Sequence, residues 1–392
     1  MMRRGSPLAS LVVVTFALFT DAFVYGLVIP LASELPAANE GSLTLALTYG
    51  AYGLGVLLAV PVIGPLTDHV GRRLPLLIGL VCLAVATLLF GLASSLPLLV
   101  LARVVQGIAS TANWTAGLAL VADSYTHKRT QMMGIAMMGS SGGSVLGPVA
   151  GGLLLEIGGY QWPFIAAGLL LALDGVLRLT LVVDPPREAS VGASPWELLR
   201  DRGVLAATLV VLLGAGGWSV IEPLLPEHLA QATVIGPTAI GLMFTISTLT
   251  NGLSAPWIGN VADRIGLWPT MFAGLVLMAV TLPFLGLITW VVLLTAVLMV
   301  LNVSYGVVLN PSLSELAEAV DRRGVSAYGA VYAVYNIGYS VGQIGSNLLG
   351  GAVATSVSFQ GALLATSVGI VVCMPLVYAI RPRLMRVAPA PE

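Results

Sequence analysis

The chain is predicted to be an all-α membrane protein, with twelve transmembrane helices in two pseudo-symmetric six-helix bundles. Three observations predict this. Hydrophobic residues make up 57% of the 392 residues and charged residues only 9%, with a mean hydropathy of +0.96. Soluble domains are about a quarter charged, so most of this surface must face lipid or other apolar helices. Twelve apolar runs each approach the roughly 20 residues that a helix needs to cross a bilayer. Finally, the punctuation GPLTDHVG at 64–71 returns as GNVADRIG at 259–266, about half the chain later. Duplicated membrane bundles with matched turns are how many secondary transporters are built, so transport is the first expectation.

The runs lie near 8–32, 42–66, 74–94, 96–122, 130–155, 161–183, 204–226, 236–262, 268–286, 289–314, 325–352 and 358–380. None alternates polar and apolar residues at short period, as the strands of a β-barrel would. Each copy of the repeated punctuation closes an apolar run, where a helix should leave the membrane. The first run is long and lacks a small-residue cleavage site, so it reads as a retained helix.

Basic residues set the orientation. Arg3 and Arg4 precede the first run, Arg72 and Arg73 follow the second, and Lys128 and Arg129 follow the fourth. Arg187, Arg200 and Arg202 follow the sixth, Arg264 the eighth, Arg322 and Arg323 the tenth, and Arg381, Arg383 and Arg386 the last. The alternate loops, near 34–41, 157–160, 227–235 and 353–357, contain no Lys or Arg. Positive loops are retained in the cytoplasm, so both termini are expected there, in a multi-pass protein of the cell (inner) membrane.

The division follows from the longest polar stretch. DPPREASVGASPWELLRDRG at 184–203 reads as a cytoplasmic linker between a bundle at 1–183 and a bundle at 204–392, with WELLR forming a short surface helix. The repeat extends into the fifth and eleventh runs, GSSGGSVLGPVAGG and NIGYSVGQIGSNLLGG. Gly139, Gly143, Gly147 and Gly151 share one helical face. That face is either a generic packing stripe or the surface of a helix at the junction between bundles.

Several function classes fall away. The net charge of −1 gives no sign of a nucleic-acid partner, and Cys82 and Cys373 read as free thiols packed inside apolar runs. His69, His127 and His228 are scattered, without metal-ligand spacing or a catalytic cluster. Neither an enzyme nor a bound cofactor is expected.

The motifs resemble one family. GPLTDHVGRR at 64–73 resembles the helix 2–3 signature of the major facilitator superfamily, and LARVVQG at 101–107 its helix 4 motif. Residues 143–152 resemble the helix 5 motif of its drug:proton antiporters. DAFVYGLVIP (21–30), DSYTHKRTQMMGIAMMG (123–139), LLLALDGVLRL (169–179), IEPLLP (221–226) and SAYGAVYAVYNIGY (326–339) are similar to the vesicular monoamine and acetylcholine transporter branch and its prokaryotic relatives. The resemblance covers the whole chain. It implies a monomer that moves a small cationic or lipophilic substrate across the bilayer in exchange for protons.

The residues support a site on their own terms. Asp21 lies mid-run among apolar neighbours, where an ionised carboxylate costs on the order of 3 kcal/mol. Such a group either faces a wet cavity, where it can trade a proton for a cationic amine, or makes a buried hydrogen bond only. Glu222 occupies the matching depth in the seventh run, the repeat partner of the first, or sits nearer the outer mouth that Glu227 and His228 mark. The resemblance assigns both acids to amine recognition and proton coupling. Arg103 is the most deeply placed basic residue: a structural anchor, or by resemblance a neighbour of the helix 1 acid that biases proton release. Its repeat counterpart is Asn302. Asp174 and Arg178, four residues apart, read as a local ion pair near the cytoplasmic end.

Aromatic and amide residues line the expected cavity: Tyr25, Asn113, Trp114, Trp218, Asn251, Tyr305, Tyr332, Tyr335 and Asn336. Aromatic faces attract ammonium ions by roughly 1–2 kcal/mol when desolvated. Tyr332, Tyr335, Asn336 and Tyr339 share one side of their helix. The monoamine transporters' helix 2 lysine and helix 11 aspartate are replaced by Tyr52 and Asn336, and their helix 10 aspartate by Leu309, beside Asn310. At the cytoplasmic end, Gly64, Asp68, Gly71, Arg72 and Asp123 are expected to form a gate. There Asp68 and Arg72 would pair with Asp123 and with a helix terminus of the other bundle. The competing reading is transport of a neutral solute such as a sugar through the Asn and Tyr residues; a non-transporting receptor would need a sensing domain that the chain lacks.

Overall fold

The computed structural model describes residues 4–35, 40–125, 129–184, 198–233, 235–321 and 328–381. Among them are thirteen α-helices, two short 3-10 turns and no strand. The helices are α1 (Pro7–Leu27), α2 (Ser42–Val70), α3 (Arg73–Leu92), α4 (Leu96–Ser124), α5 (Arg129–Gly158) and α6 (Gln161–Leu181). The second half contains α7 (Arg202–Ser219), α8 (Ile221–Ala232), α9 (Pro237–Ile265), α10 (Leu267–Thr281), α11 (Val291–Asp321), α12 (Tyr328–Ser356) and α13 (Phe359–Ile380). Because α7 and α8 are two pieces of one apolar run, thirteen helices make twelve spans. Most of the expected linker, 185–197, lies outside the described residues, and so do the first two residues of the WELLR patch.

Local chemistry explains the breaks. Pro223 has no N–H for the carbonyl of Ser219, and the helix divides there, between α7 and α8. Pro30 does the same in the repeat partner: α1 ends at Leu27 and the chain continues as a 3-10 turn over Ile29–Glu34. Ser6, Asp201 and Ser358 cap α1, α7 and α13 with side-chain oxygens. Gly71 and Gly266 end α2 and α9 with φ of +103° and +95°, a region that favours glycine. The repeated punctuation is therefore two closing helical turns and a helix stop. The expected loop at 227–235 is a correction: α8 continues to Ala232, so Glu227 and His228 are helical. Apolar character stops at Pro226, but backbone hydrogen bonding does not.

Successive spans run antiparallel, so the structure has a near face carrying both chain ends and a far face. Among the described residues, nine helical segments are long and apolar enough to cross a membrane. Outside that set are α5, α9 and α12, each rich in glycine, serine or other small residues. Their placement explains this: α5 packs on α9, and α12 on α2, across the seam between the bundles. Away from the seam, side chains such as Leu88, Leu169, Leu253 and Val372 are exposed, as lipid-facing positions should be.

The glycine stripe of α5 has a different role from the one expected of a seam helix. A Cβ at Gly139, Gly143 or Gly151 would strike the carbonyl oxygens of Thr15, Phe19 or Leu27, all in α1. The stripe thus binds two helices of the same bundle. Contacts across the seam come from the neighbouring face, where Val145 accepts a hydrogen bond from Thr245 and Glu156 from the Thr238 N–H. The hydrogen bonds that join the bundles at Tyr25, Ser42, Leu43, Val145 and Glu156 lie between the level of Asp21 and the far face. In the near half, positions such as Gly64, Gly134 and Gly259 have open space beside them.

Candidate functional site

Two carboxylates lie at the centre, bound by neutral donors. Asp21 of α1, 5% exposed, accepts from three residues of α4. Ser110 Oγ donates to Oδ2 at 2.7 Å, Trp114 Nε1 to the same oxygen at 3.2 Å, and Asn113 Nδ2 to Oδ1 at 3.5 Å. The three donors stand one helical turn apart or less, so one face of α4 supplies them all. Glu222 opens the first turn of α8 and is 3% exposed. Tyr25 donates to its Oε2 at 2.5 Å and Trp218 Nε1 to its Oε1 at 3.0 Å. Tyr25 follows Asp21 by one turn, about 6 Å of helix rise. A single turn of α1 therefore joins the acid of one bundle to the acid of the other.

Arg103 requires a correction. The resemblance sets it beside the helix 1 acid; instead its guanidinium lies over the rings of Tyr25, Tyr49 and Phe90, at 5.4, 4.4 and 5.0 Å. Its Nη1 donates to Gln106 at 2.9 Å, and Nε and Nη2 have no hydrogen-bond partner. Arg103 precedes Ser110 by about two helical turns, which carries it past Asp21 to the level of Tyr25. Three aromatic faces hold the charge by cation–π attraction, and among the described residues Arg103 makes no ion pair with a carboxylate.

Asn113 also departs from expectation. It is fully buried rather than lining an open wall, and its Oδ1 accepts from Arg178 Nη1 at 2.7 Å. Arg178 forms the expected pair with Asp174, through Nε at 3.0 Å and Nη2 at 2.5 Å, and both residues are fully buried. The pair is thus joined, through one amide, to Asp21.

The remaining predicted residues divide between the seam and the second bundle. Tyr305, half-buried, packs against Trp218 with centroids 5.5 Å apart and meets Tyr339 hydroxyl to hydroxyl at 3.3 Å. Tyr335 stacks on Tyr339 at 6.4 Å. Asn336 is half-buried on the same helix. Tyr52 lies edge-on to Tyr25 at 4.9 Å. Asn251 donates to Asn302 at 2.7 Å, and Asn302 to Ser247 at 3.2 Å, forming a neutral network inside the second bundle. The side chains of Asp68 and Tyr332 lie outside the described set.

At the near face, Arg72 pairs with Asp123 at 2.9 Å and donates to the carbonyl of Thr67. Asp184 adds a contact that the sequence reading assigned only to the linker: its Oδ1 accepts the backbone N–H groups of Arg72 and Arg73 at 2.6 and 2.9 Å. Gln343 was also missed. Its Nε2 donates to the Tyr25 hydroxyl at 3.0 Å, across the seam. Extending the stripe of Tyr335 and Tyr339 by one more turn would have found it. At the far face, Ser42, Glu227, His228, Gln231, Ser358 and Phe359 border a cavity of about 230 Å³ on the seam.

The comparisons bear on this geometry. The model of the Major Facilitator Superfamily matches residues 11–218 and again 207–392. The chromaffin granule amine transporter of Homo sapiens is 29% identical over 331 residues, covering 83% of this chain. The matched region spans only 63% of that relative's own length. The synaptic vesicular amine transporter of Homo sapiens is 28% identical over 348 residues, covering 86% of this chain and 67% of the relative. Among solved structures, a bacterial homologue of the human lysosomal transporter Spinster, inward-facing and unoccupied, superposes with a TM-score of 0.74. It is 15% identical, and the match covers 95% of this chain and 96% of that one, a likeness of fold.

Proposed function

The chain belongs to the Major Facilitator Superfamily, and on that premise we propose that it exports small organic cations, amines or lipophilic drugs in exchange for protons. One observation carries the reading: an acid from each bundle, Asp21 and Glu222, joined across the seam through one turn of α1 and Tyr25. Among the described residues neither acid forms an ion pair with Lys or Arg. Each is bound by neutral donors, and a proton or an ammonium group is what would neutralise it. The relatives named as amine transporters support that substrate class.

The bundles, 1–183 and 204–392 with the linker 184–203 between them, alternate access by rocking about the seam. With the basic loops in the cytoplasm, the near face is cytoplasmic and both termini are inside. A cation entering from the cytoplasm meets Trp114, Tyr305 and Tyr335 and exchanges for the proton on Asp21 or Glu222. Arg103, held over Tyr25, disfavours a second positive charge beside Glu222 and so biases the exchange. Arg72 and Asp123, with Gly64, Asp68 and Gly71, form the cytoplasmic gate. The protein acts as a monomer in the cell membrane and as a carrier, not an enzyme.

The test is proton flux in proteoliposomes. Adding an amine substrate on one side should drive protons the opposite way, with both fluxes lost on adding an uncoupler. Proton movement in the same direction as substrate, or none, would overturn the exchange mechanism. A neutral-solute carrier would respond to sugars instead, a reading that the paired acids and the named relatives do not favour.

A further inference from the structure

The proposed exchange needs Asp21 to gain and lose a proton, and its three partners differ in what they can do. Trp114 Nε1 is a donor only. Asn113 has both a donor and an acceptor end, and the choice between them is made elsewhere. Arg178 carries donors and no acceptor, so the Asn113 oxygen must face it, and the 2.7 Å contact meets that demand. The amide nitrogen is then turned toward Asp21. Arg178 is in turn held by Asp174 on two nitrogens and by the Leu76 carbonyl, with no exposed surface. Turning the amide over would leave two donors facing each other in a buried site.

Ser110 remains. A hydroxyl both donates and accepts. When Asp21 is a carboxylate, Ser110 donates to it. When Asp21 is protonated, its new O–H needs an acceptor, and Ser110 Oγ is the one available among the three. Its own hydrogen can then turn to the carbonyl of Gln106, four residues back on α4, as helical serines commonly do. The step is a simple protonation, carboxylate plus proton giving carboxylic acid, with the hydroxyl rotating and no other bond changing.

We propose that Arg178, acting through Asn113, is a positioning residue that holds the amide as a fixed donor to Asp21, and that Ser110 is the switching partner through which Asp21 exchanges its proton. This rests on the exchange reading above. The other groups facing Asp21 are few. Among the described residues, Tyr52 of α2, which also neighbours Ser110, and the Asp174–Arg178 pair of α6 are the titratable or charged ones, and α5 contributes no ionisable residue between Thr130 and Leu155.

Infrared spectroscopy of the purified full-length protein tests this, following the carboxylic acid carbonyl band as pH changes. Asp21→Asn identifies the band, and a Glu222→Gln background removes its main competitor. Ser110→Ala should move the band to the frequency of an acid without a hydrogen-bond acceptor, and Ser110→Thr should restore it. Asn113→Leu, and the charge-balanced double change Asp174→Asn with Arg178→Gln, should each raise the pH at which the band appears by at least about half a unit, roughly threefold in proton affinity. Arg178→Lys, still only a donor, should not. An unmoved band in Ser110→Ala, or an unshifted midpoint in Asn113→Leu, would overturn the proposal even if the double variant failed to fold. Failure of the exchange reading looks different: the unmodified protein would move no protons against an amine, while the Asp21 band still titrated.

Discussion

In the first bundle, α4 carries Arg103 and α6 carries Asp174 and Arg178, all three fully buried, while α1 carries Asp21. The second-bundle positions that answer Arg103 and the α6 pair are neutral. Asn302 stands where Arg103 does, bonded to Asn251 and Ser247, and α13 has no charged residue along its length. Glu222 and Glu227 are buried acids that the second half brings to the seam, and Glu222 has tyrosines behind it. A charge in the membrane interior costs several kcal/mol, whereas a paired amide costs far less. Among the described residues the buried arginines lie in one half of the duplicated fold, which marks where proton handling is expected, and the aromatic half is suited to shaping a substrate site. The near face repeats the contrast. Arg72 is tied to Asp123, while Asp263 and Arg264 in the second copy are exposed, and Leu267 stands where Arg72 does.

The sharpest way to break this comparison is to neutralise the acid of each half. Asp21→Asn should reduce pH-gradient-driven amine transport to the level of empty liposomes. Glu222→Gln should weaken amine binding about tenfold, the worth of one charge-assisted contact, while leaving measurable turnover. If Glu222→Gln abolished coupling and Asp21→Asn only weakened binding, the roles would have to be exchanged. Next comes stability. Asp174→Ala strands the Arg178 charge and should cost about 3–5 kcal/mol, read as a large fall in the detergent thermal midpoint. Asn302→Ala removes neutral bonds and should cost about 1 kcal/mol. Equal losses would mean that the buried charges are no more than another packing solution. The smallest effect is at the near face. Arg72→Gln should lower the midpoint by a degree or two through a partly buried pair worth about 1 kcal/mol, and Arg264→Gln should leave it unchanged. A larger effect at Arg264 would show that the second copy is engaged as tightly as the first.

Much of the fold could be read directly. All twelve apolar runs correspond to observed spans, because hydropathy and length are set residue by residue. The prolines at 30 and 223 end or divide helices where a missing N–H requires it. Composition could not say which face of α5 meets which neighbour: the glycine stripe packs within its bundle, and an adjacent stripe forms the seam. The site was legible in its residue types and less so in its partners. Asp21 and Glu222 stand out as acids in hydrocarbon. That Arg103 stacks on rings rather than meeting Asp21 depends on two turns of α4 and on where Tyr49 and Phe90 arrive from other helices. Gln343 and Asp184 gave weak signals, one an ordinary amide in a small-residue helix, the other a charge at the edge of a polar stretch.

The amino-acid order alone determined that this is a duplicated helical membrane protein, where its spans begin and end within a few residues, and which carboxylates must be sheltered. Those properties follow from local transfer free energies and backbone geometry, which each segment carries with it. Only the tertiary structure decided that Asp21 is held by three donors of α4, that Arg178 reaches it through an amide, and that Tyr25 spans to Glu222. These contacts join residues tens to hundreds of positions apart, and their geometry is set by how whole helices rotate and cross.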